Sequence, residues 1–567
     1  MGSVLAIVVV LAALVPVAMA RPTAAVLPCY EPESKSKAPE WASQMPEPRE
    51  TRVTKSDVQI ESRDGTLISA RVYRPDAFEG RPLPTILVMS PYHAFFGIYY
   101  KELEDAGVLQ RAQCVAEYFL PRGYAVVAAD MRGTHNSDGC FDYGGPGDQQ
   151  DGYATVEWIA DQKWSNGKVG MYGVSHVGMS QYAAAVASPP ALKAIIPIAP
   201  VTSFYRYLYN GGVHYETNML TPAAYEGLTA APPPTNASAP NYFSNLVQTS
   251  CSGENVVRGM SLDGTMTKYW RQRDYPSMAG KIRAAVFHVH GTRDENVKMD
   301  HFAAMWDGLE RHDVPRKALI GPWDHQEPPV DHWYLTALRW YEHWLNDNDT
   351  GMMDEPAITT IDQKDRVRTA DAWPARPGQQ MVLHAAKGEL QEDAASGSAN
   401  YQDVPGLYRG ALREAQGARL IYTGTRLTAS TRLYGSPIFD VVASIDKRDT
   451  NFAALLYDVA ADGTAEYVSR GYLDARHRDG LTKPKDVKPG KEYGYQIVLH
   501  ARDYVFEKGH RLQVLLASSD SCTWAIGGSI GRAHCSSSGV VSDTTAAKVT
   551  VKEGAGRTRL VLPVAKV

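Results

Sequence analysis

Two stretches near the start of the chain, Val53–Gln59 and Leu67–Tyr73, alternate apolar and polar residues and flank Asp64-Gly65. Alternation of period two across such a turn predicts a β-hairpin. Beyond it, short β-branched apolar runs alternate with longer stretches of helical period. Strands are predicted at Thr85–Met89, Tyr124–Ala129, Val169–Tyr172 and Ala194–Ile198, with helices at Gln110–Leu120, Gly152–Asp161 and His176–Ala187 between them. Strands that are apolar throughout and separated by helices form a parallel sheet covered on both faces. Ligand sites in such sheets lie in the loops after the carboxyl ends of the strands.

From Val201 to Asp274 the alternation stops. This segment is aromatic, carries Pro232-Pro233-Pro234 and shows broken helical patterns, so it is expected to be a helical cap inserted into the core. The alternation resumes with a strand at Ala284–Val289, a helix at His301–Arg311, a strand at Lys317–Ile320 and an amphipathic helix at Trp333–Leu345. Past Pro356 only short alternating runs remain. Gly435–Ser444, Phe452–Ala460, Gly494–Leu499, Arg511–Leu516 and Arg557–Pro563 are divided by Gly, Asp and Pro, the pattern of a jelly-roll β-sandwich. The expected division is a leader (1–20), a lead segment (21–50), a core in two parts (51–200 and 276–355) around the cap (201–275), and a C-terminal β-sandwich (356–567).

Composition changes this picture little. With 44% apolar and 21% charged residues the chain is an ordinary globular protein, and a net charge of −5 over 567 residues gives no footprint for nucleic acid or an anionic membrane. The first twenty residues alter it more. Met1–Ala20 is small and apolar and ends Ala18-Met19-Ala20, as secretory signals do, although no Lys or Arg precedes the apolar run. An uncleaved anchor is the other reading, but Pro16 interrupts the run, and the expectation is secretion without stable membrane association. The six cysteines (Cys29, Cys114, Cys140, Cys251, Cys522, Cys535) lack metal-binding spacing and fit disulfides in an exported chain, with Cys522 and Cys535 the first candidates for a pair. No metal or cofactor is expected.

The sharpest chemical signal is Gly173-Val174-Ser175-His176-Val177-Gly178, between a predicted strand and a predicted helix. A serine on that turn is exposed above the sheet, and the following N–H, that of His176, can stabilise an oxyanion. The usual pattern is G-x-S-x-G; here the second glycine comes one place later. A serine nucleophile needs a base, and the base needs an orienting carboxylate. Asp294 follows one late strand and His325 the next, in the order Ser, acid, His of α/β-hydrolases. Taken singly, Asp294 reads equally well as a turn residue and His325 as a packing residue; their joint order and placement favour a triad.

These features, with Ser90-Pro91-Tyr92, Asp130-Met131-Arg132-Gly133, Gly321-Pro322-Trp323-Asp324-His325 and Arg339–Leu345, resemble the X-Pro dipeptidyl-peptidase and cocaine esterase family of α/β-hydrolases, which includes α-amino-acid ester hydrolases. The resemblance spans nearly the whole mature chain. It implies that the Tyr92 phenol completes the oxyanion hole beside the His176 N–H. It also implies that Asn296, two places after Asp294, helps to hold a substrate ammonium, with a carboxylate from the cap: Glu216, or Glu226 as the alternative. Phe204, Tyr205 and Tyr207 of the cap suit an apolar acyl pocket or the flanks of a proline ring. Asp130 and Arg132 are read as a buried ion pair supporting the loops. The resulting expectation is a serine hydrolase acting on small peptides, by removal of Xaa-Pro dipeptides, or on small esters and amides. A surface- or carbohydrate-binding protein with an idle core is the alternative from another class.

Overall fold

The computed structural model describes residues 37–92, 110–215, 218, 221, 222, 225, 264–374, 378–404, 412–520 and 546–567. The expected leader, four of the cysteines (Cys29, Cys251, Cys522, Cys535) and both cap carboxylates, Glu216 and Glu226, lie outside them.

Among the described residues ten strands make one mixed sheet: β1 (Val53–Glu61), β2 (Leu67–Pro75), β3 (Leu83–Ser90), β4 (Ala125–Asp130), β5 (Ser165–Val174), β6 (Leu192–Ile198), β7 (Ala285–Gly291), β8 (Arg316–Gly321), β9 (Ile358–Ile361) and β10 (Val367–Ala370). Their spatial order is β1-β2-β4-β3-β5-β6-β7-β8-β9-β10. Neighbours from β4 to β9 run parallel. The two ends of the sheet are antiparallel, β1 on β2 and β2 on β4 at one end and β10 on β9 at the other. Every residue of β3, β4 and β7 is buried, which is why those strands are mostly apolar and do not alternate with polar residues.

Helices cover both faces. On one face, α2 (Pro146–Ala160), α3 (His176–Ala187) and α4 (Met299–Arg311) pack Ile159, Tyr182 and Met305 over Leu87, Met171 and Ile195. On the other, α1 (Gln110–Phe119) and α5 (Trp333–Leu345) pack Phe119, Leu338 and Trp340 over Val88, Ile196 and Phe287. Each fully buried aliphatic or aromatic side chain of these layers contributes roughly 1.5–3 kcal/mol. The helix expected from Gly152 starts earlier, at Pro146, because Gly145 caps it and a proline at the first position loses no intrahelical bond.

The expected Asp130–Arg132 pair does not form. Asp130 Oδ2 lies 2.9 Å from His135 Nδ1 instead. The Arg132 guanidinium donates to both carboxylate oxygens of Asp151 on α2 at 2.6 Å and to Asp64 in the hairpin turn at 3.0 Å. The arginine therefore ties the hairpin tip to α2 rather than to its neighbour on the loop. Cys140, eight residues on, is disulfide-bonded, whereas Cys114 in α1 is buried and is not.

The C-terminal third is all-β: among the described residues, thirteen strands between Gln379 and Ala565 share one hydrogen-bonded network around a core that includes Phe439, Phe452, Leu456, Val514 and Leu560. Two local expectations differ. Residues past Pro356 do not enter this body at once, since β9 and β10 first extend the hydrolase sheet. The single strand expected over Gly435–Ser444 is two, Thr431–Gly435 and Ile438–Ile445, because Pro437 between them has no N–H to give to a ladder.

Candidate active site

Ser175 sits between β5 and α3 with φ +65° and ψ −123°, a conformation rare for any residue with a side chain. Two packing contacts fix this turn. A Cβ on Gly173 would fall inside the Val177 side chain, so the position that usually carries the second glycine can hold a valine only because Gly173 makes room for it. A Cβ on Gly178 would lie 2.9 Å from Pro200 Cβ and 3.2 Å from the Ile198 carbonyl. The displaced glycine of the motif thus lets α3 close onto the end of β6.

Asp294 and His325 occupy the loops after β7 and β8, and the two loops meet. Thr292 N–H donates to the Gly321 carbonyl at 2.7 Å and Arg293 N–H to the Trp323 carbonyl at 3.1 Å. A Cβ on Gly291 would collide with the Trp323 carbonyl, so the close approach requires glycine there. Asp294 is fully buried. Its Oδ1 accepts the N–H groups of Asn296 (2.9 Å) and Val297 (2.8 Å), while Oδ2 lies 2.7 Å from His325 Nδ1. His325 Nε2, the atom a serine proton would reach, is buried without a hydrogen-bond partner. The loop that carries His325 is tied from beneath, as Tyr172 of β5 donates to Glu327 at 2.9 Å and accepts from Trp333 at 2.8 Å.

The other expected residues fall at different depths. The His176 ring is fully buried, packed on Phe141 and Tyr225, and both its nitrogens lack partners; burial drops its pKa to about 3, so the ring is neutral. Tyr92 stands edge-on to His176, and its hydroxyl is 2.7 Å from that of Tyr225. Tyr207 donates to Asn296 Oδ1 at 2.9 Å, which brings its ring onto the loop that carries Asp294. Phe204 is buried among the rings of Tyr207, Tyr143 and Trp270. Glu216 lies outside the described residues. Among the described residues no cluster of His, Cys, Asp and Glu is arranged to hold a metal.

Four features of the site escape sequence reading. Tyr225 meets Tyr92 from a segment with no pattern to announce it. Glu295, next to Asp294, pairs with Arg470 (2.6 Å) and Arg502 (3.3 Å) of the all-β domain. Burial alone would raise its carboxyl pKa, but the two arginines outweigh that and hold it at about 2. Behind Asp294 runs a buried chain: Tyr182 hydroxyl to His288 Nδ1 at 2.9 Å, His288 Nε2 to His290 Nδ1 at 3.3 Å, and His290 Nε2 to the Val297 carbonyl at 2.8 Å. Burial keeps both histidines neutral. Their i, i+2 spacing on a strand, which aims them at one face, was the available signal. Beneath the same loop lies Lys298, buried and without a hydrogen-bond partner, its ammonium 3.6 Å from the centre of the Tyr215 ring.

A buried carboxylate on one imidazole nitrogen, a free second nitrogen, and a serine at a strained strand-to-helix turn are the parts of a serine hydrolase. Comparison with known proteins gives the same class. Residues 64–327 match the X-Pro dipeptidyl-peptidase (S15) family and residues 350–561 match the X-Pro dipeptidyl-peptidase C-terminal non-catalytic domain. A putative Xaa-Pro dipeptidyl-peptidase of Bacillus cereus is 29% identical, over 80% of this chain and 82% of its own length. Cocaine esterase of a Rhodococcus species is 24% identical, over 82% and 90% respectively. The solved structure of a CocE/NonD family hydrolase from Staphylococcus aureus superposes with a TM-score of 0.72 at 16% identity, covering 94% of this chain and 99% of that one. The chain is therefore a serine hydrolase with an α/β-hydrolase core and an all-β C-terminal domain, and it belongs to the X-Pro dipeptidyl-peptidase and cocaine esterase family.

Proposed function

We propose that this enzyme removes Xaa-Pro dipeptides from free peptide N-termini through an acyl-enzyme. Ser175 attacks the carbonyl, His325 takes the proton at Nε2 and later returns it to the leaving amine, and Asp294 holds the imidazole in the tautomer that leaves Nε2 open. The His176 N–H and the Tyr92 phenol receive the oxyanion. The observation that carries the exopeptidase reading is Asn296. It stands on the acid loop, its amide oxygen oriented by the Tyr207 hydroxyl, where a second lone pair is left for a substrate ammonium. The name of the Bacillus relative agrees with this reading. An ammonium entering the site must be met by a carboxylate, and Glu216 or Glu226 of the cap is proposed to supply it.

A second reading has its own support. The rings of Tyr92, Phe141, His176 and Tyr225 form an uncharged box behind the nucleophile, which suits an acyl group without charge, as in an esterase. Comparing Ala-Pro-nitroanilide with its N-acetyl form separates the two. Acetylation strands the cap carboxylate, and breaking such a pair costs about 3–5 kcal/mol. The exopeptidase reading therefore expects at least a ~100-fold loss in kcat/KM. Equal rates would remove that reading and leave the esterase. We further propose export after cleavage at Ala20, which the disulfide at Cys140 supports.

A further inference from the structure

We propose that Arg470 and Arg502 of the all-β domain are positioning residues for the reaction, holding the acid loop, and with it the Asp294 carboxylate, through Glu295. The inference rests on the triad assigned above. The orientation of Asp294 is set by a turn of four residues: Oδ1 is fixed by the N–H groups of Asn296 and Val297, which leaves Oδ2 for His325. Glu295 is the residue inside that turn whose side chain leaves the hydrolase core. Its two oxygens are split between two arginines, Oε2 to Arg470 and Oε1 to Arg502.

Neither arginine is a loose surface partner. The Arg470 side chain is fully buried, and its other nitrogen reaches Asp520 at 3.3 Å; Asp520 in turn accepts from Tyr472 at 2.8 Å. Arg502 donates to the carbonyls of Val468 (2.8 Å) and Ala501 (3.1 Å). Both guanidinium groups are thus fixed by the β-domain framework before they meet Glu295. A rigid anchor of this kind restrains a turn more than a surface ion pair would, because the entropy of placing long side chains is already spent within the second domain. The domain that carries no catalytic group would then set the geometry of one.

The test uses the full-length enzyme and a small nitrophenyl ester, so that peptide binding does not enter. Arg502→Met is expected to lower kcat by about 10- to 100-fold, the scale of a misplaced catalytic group, with KM nearly unchanged. Arg502→Lys, which keeps a cation facing Glu295, is expected to recover most of the loss. Arg432→Met is the matched control. It breaks a buried bidentate pair with Asp503 (2.7 and 2.6 Å) in the same domain without touching the acid loop. It should lower Tm at least as much while leaving kcat at wild type. If Arg502→Met does not fold, Glu295→Asp keeps the carboxylate charge but cannot reach both arginines, and it should lower kcat in the same KM-neutral way. Wild-type kcat in the folded Arg502 or Glu295 variant, or an equal loss in Arg432→Met, would overturn the proposal. Ser175→Ala is assayed alongside: activity retained there would mean that the triad reading itself has failed.

Discussion

Replacing Asp294 by asparagine changes one atom, yet the turn around it makes the outcome severe. Oδ1 accepts two backbone N–H groups at 2.9 and 2.8 Å, and only the amide oxygen can stand in for it, since an NH2 there would face two donors. The amide nitrogen is therefore forced onto the Oδ2 site, 2.7 Å from His325 Nδ1. That nitrogen now receives a hydrogen bond instead of giving one, and the imidazole proton moves to Nε2, where the serine proton has to go. The expected loss in kcat is about 10⁴-fold, near 5.5 kcal/mol of barrier, as for wrong-tautomer variants of such triads. Asp294→Ala should be no worse and can be better, because an empty site lets water hold the productive tautomer. Steady-state turnover of a nitrophenyl ester measures both variants, and NMR of the His325 ring protons reports which nitrogen is protonated. An Asn variant within tenfold of wild type, or one that keeps its Nδ1 proton, would refute the argument.

Two further outcomes follow from the same geometry. Tyr92→Phe should lower kcat by ~10²-fold or more with Tm little changed, the cost of one oxyanion donor; unchanged kcat would make Tyr92 a packing residue against Tyr225. Burial, aided by repulsion from Arg470, lowers Lys298 from 10.5 to about 7 against the pull of Asp300, Glu295 and Asp294. Between those values the unfolded chain binds more protons than the folded one, so stability rises with pH across that window and the penalty is full below it. Lys298→Met should therefore raise Tm at about pH 7 and flatten that rise; a lower Tm would mean that the contact with Tyr215 outweighs the desolvation.

The core was legible because its strands are buried on both faces and its helices are not. Helices His176–Ala187 and Trp333–Leu345 have the limits their periodicity indicates. The three residues of the proposed triad could be picked out because each follows a strand whose apolar run marks its end. Side-chain partners were not legible. Arg132 turns to Asp151 and Asp64 because α2 and the hairpin tip close over it, a fact of tertiary packing that two neighbouring charges in a sequence do not carry. Phe204 and Tyr207 look alike on a short helix, yet one faces Trp270 and the other Asn296. Glu295 meets arginines 175 and 207 residues away, a separation at which spacing rules have nothing to say.

The strands Ile358–Ile361 and Val367–Ala370 have an effect beyond the chemistry. They lie in the chain segment that leads to the all-β domain, yet they complete the hydrolase sheet, and β8, buried along most of its length, would otherwise be its edge. An uncovered apolar edge invites pairing with any other open strand. A gene fragment ending after Leu345 would leave such a seam exposed, so the two halves are poor candidates for separate inheritance. The sheet makes them one evolutionary unit, whatever loops vary around it.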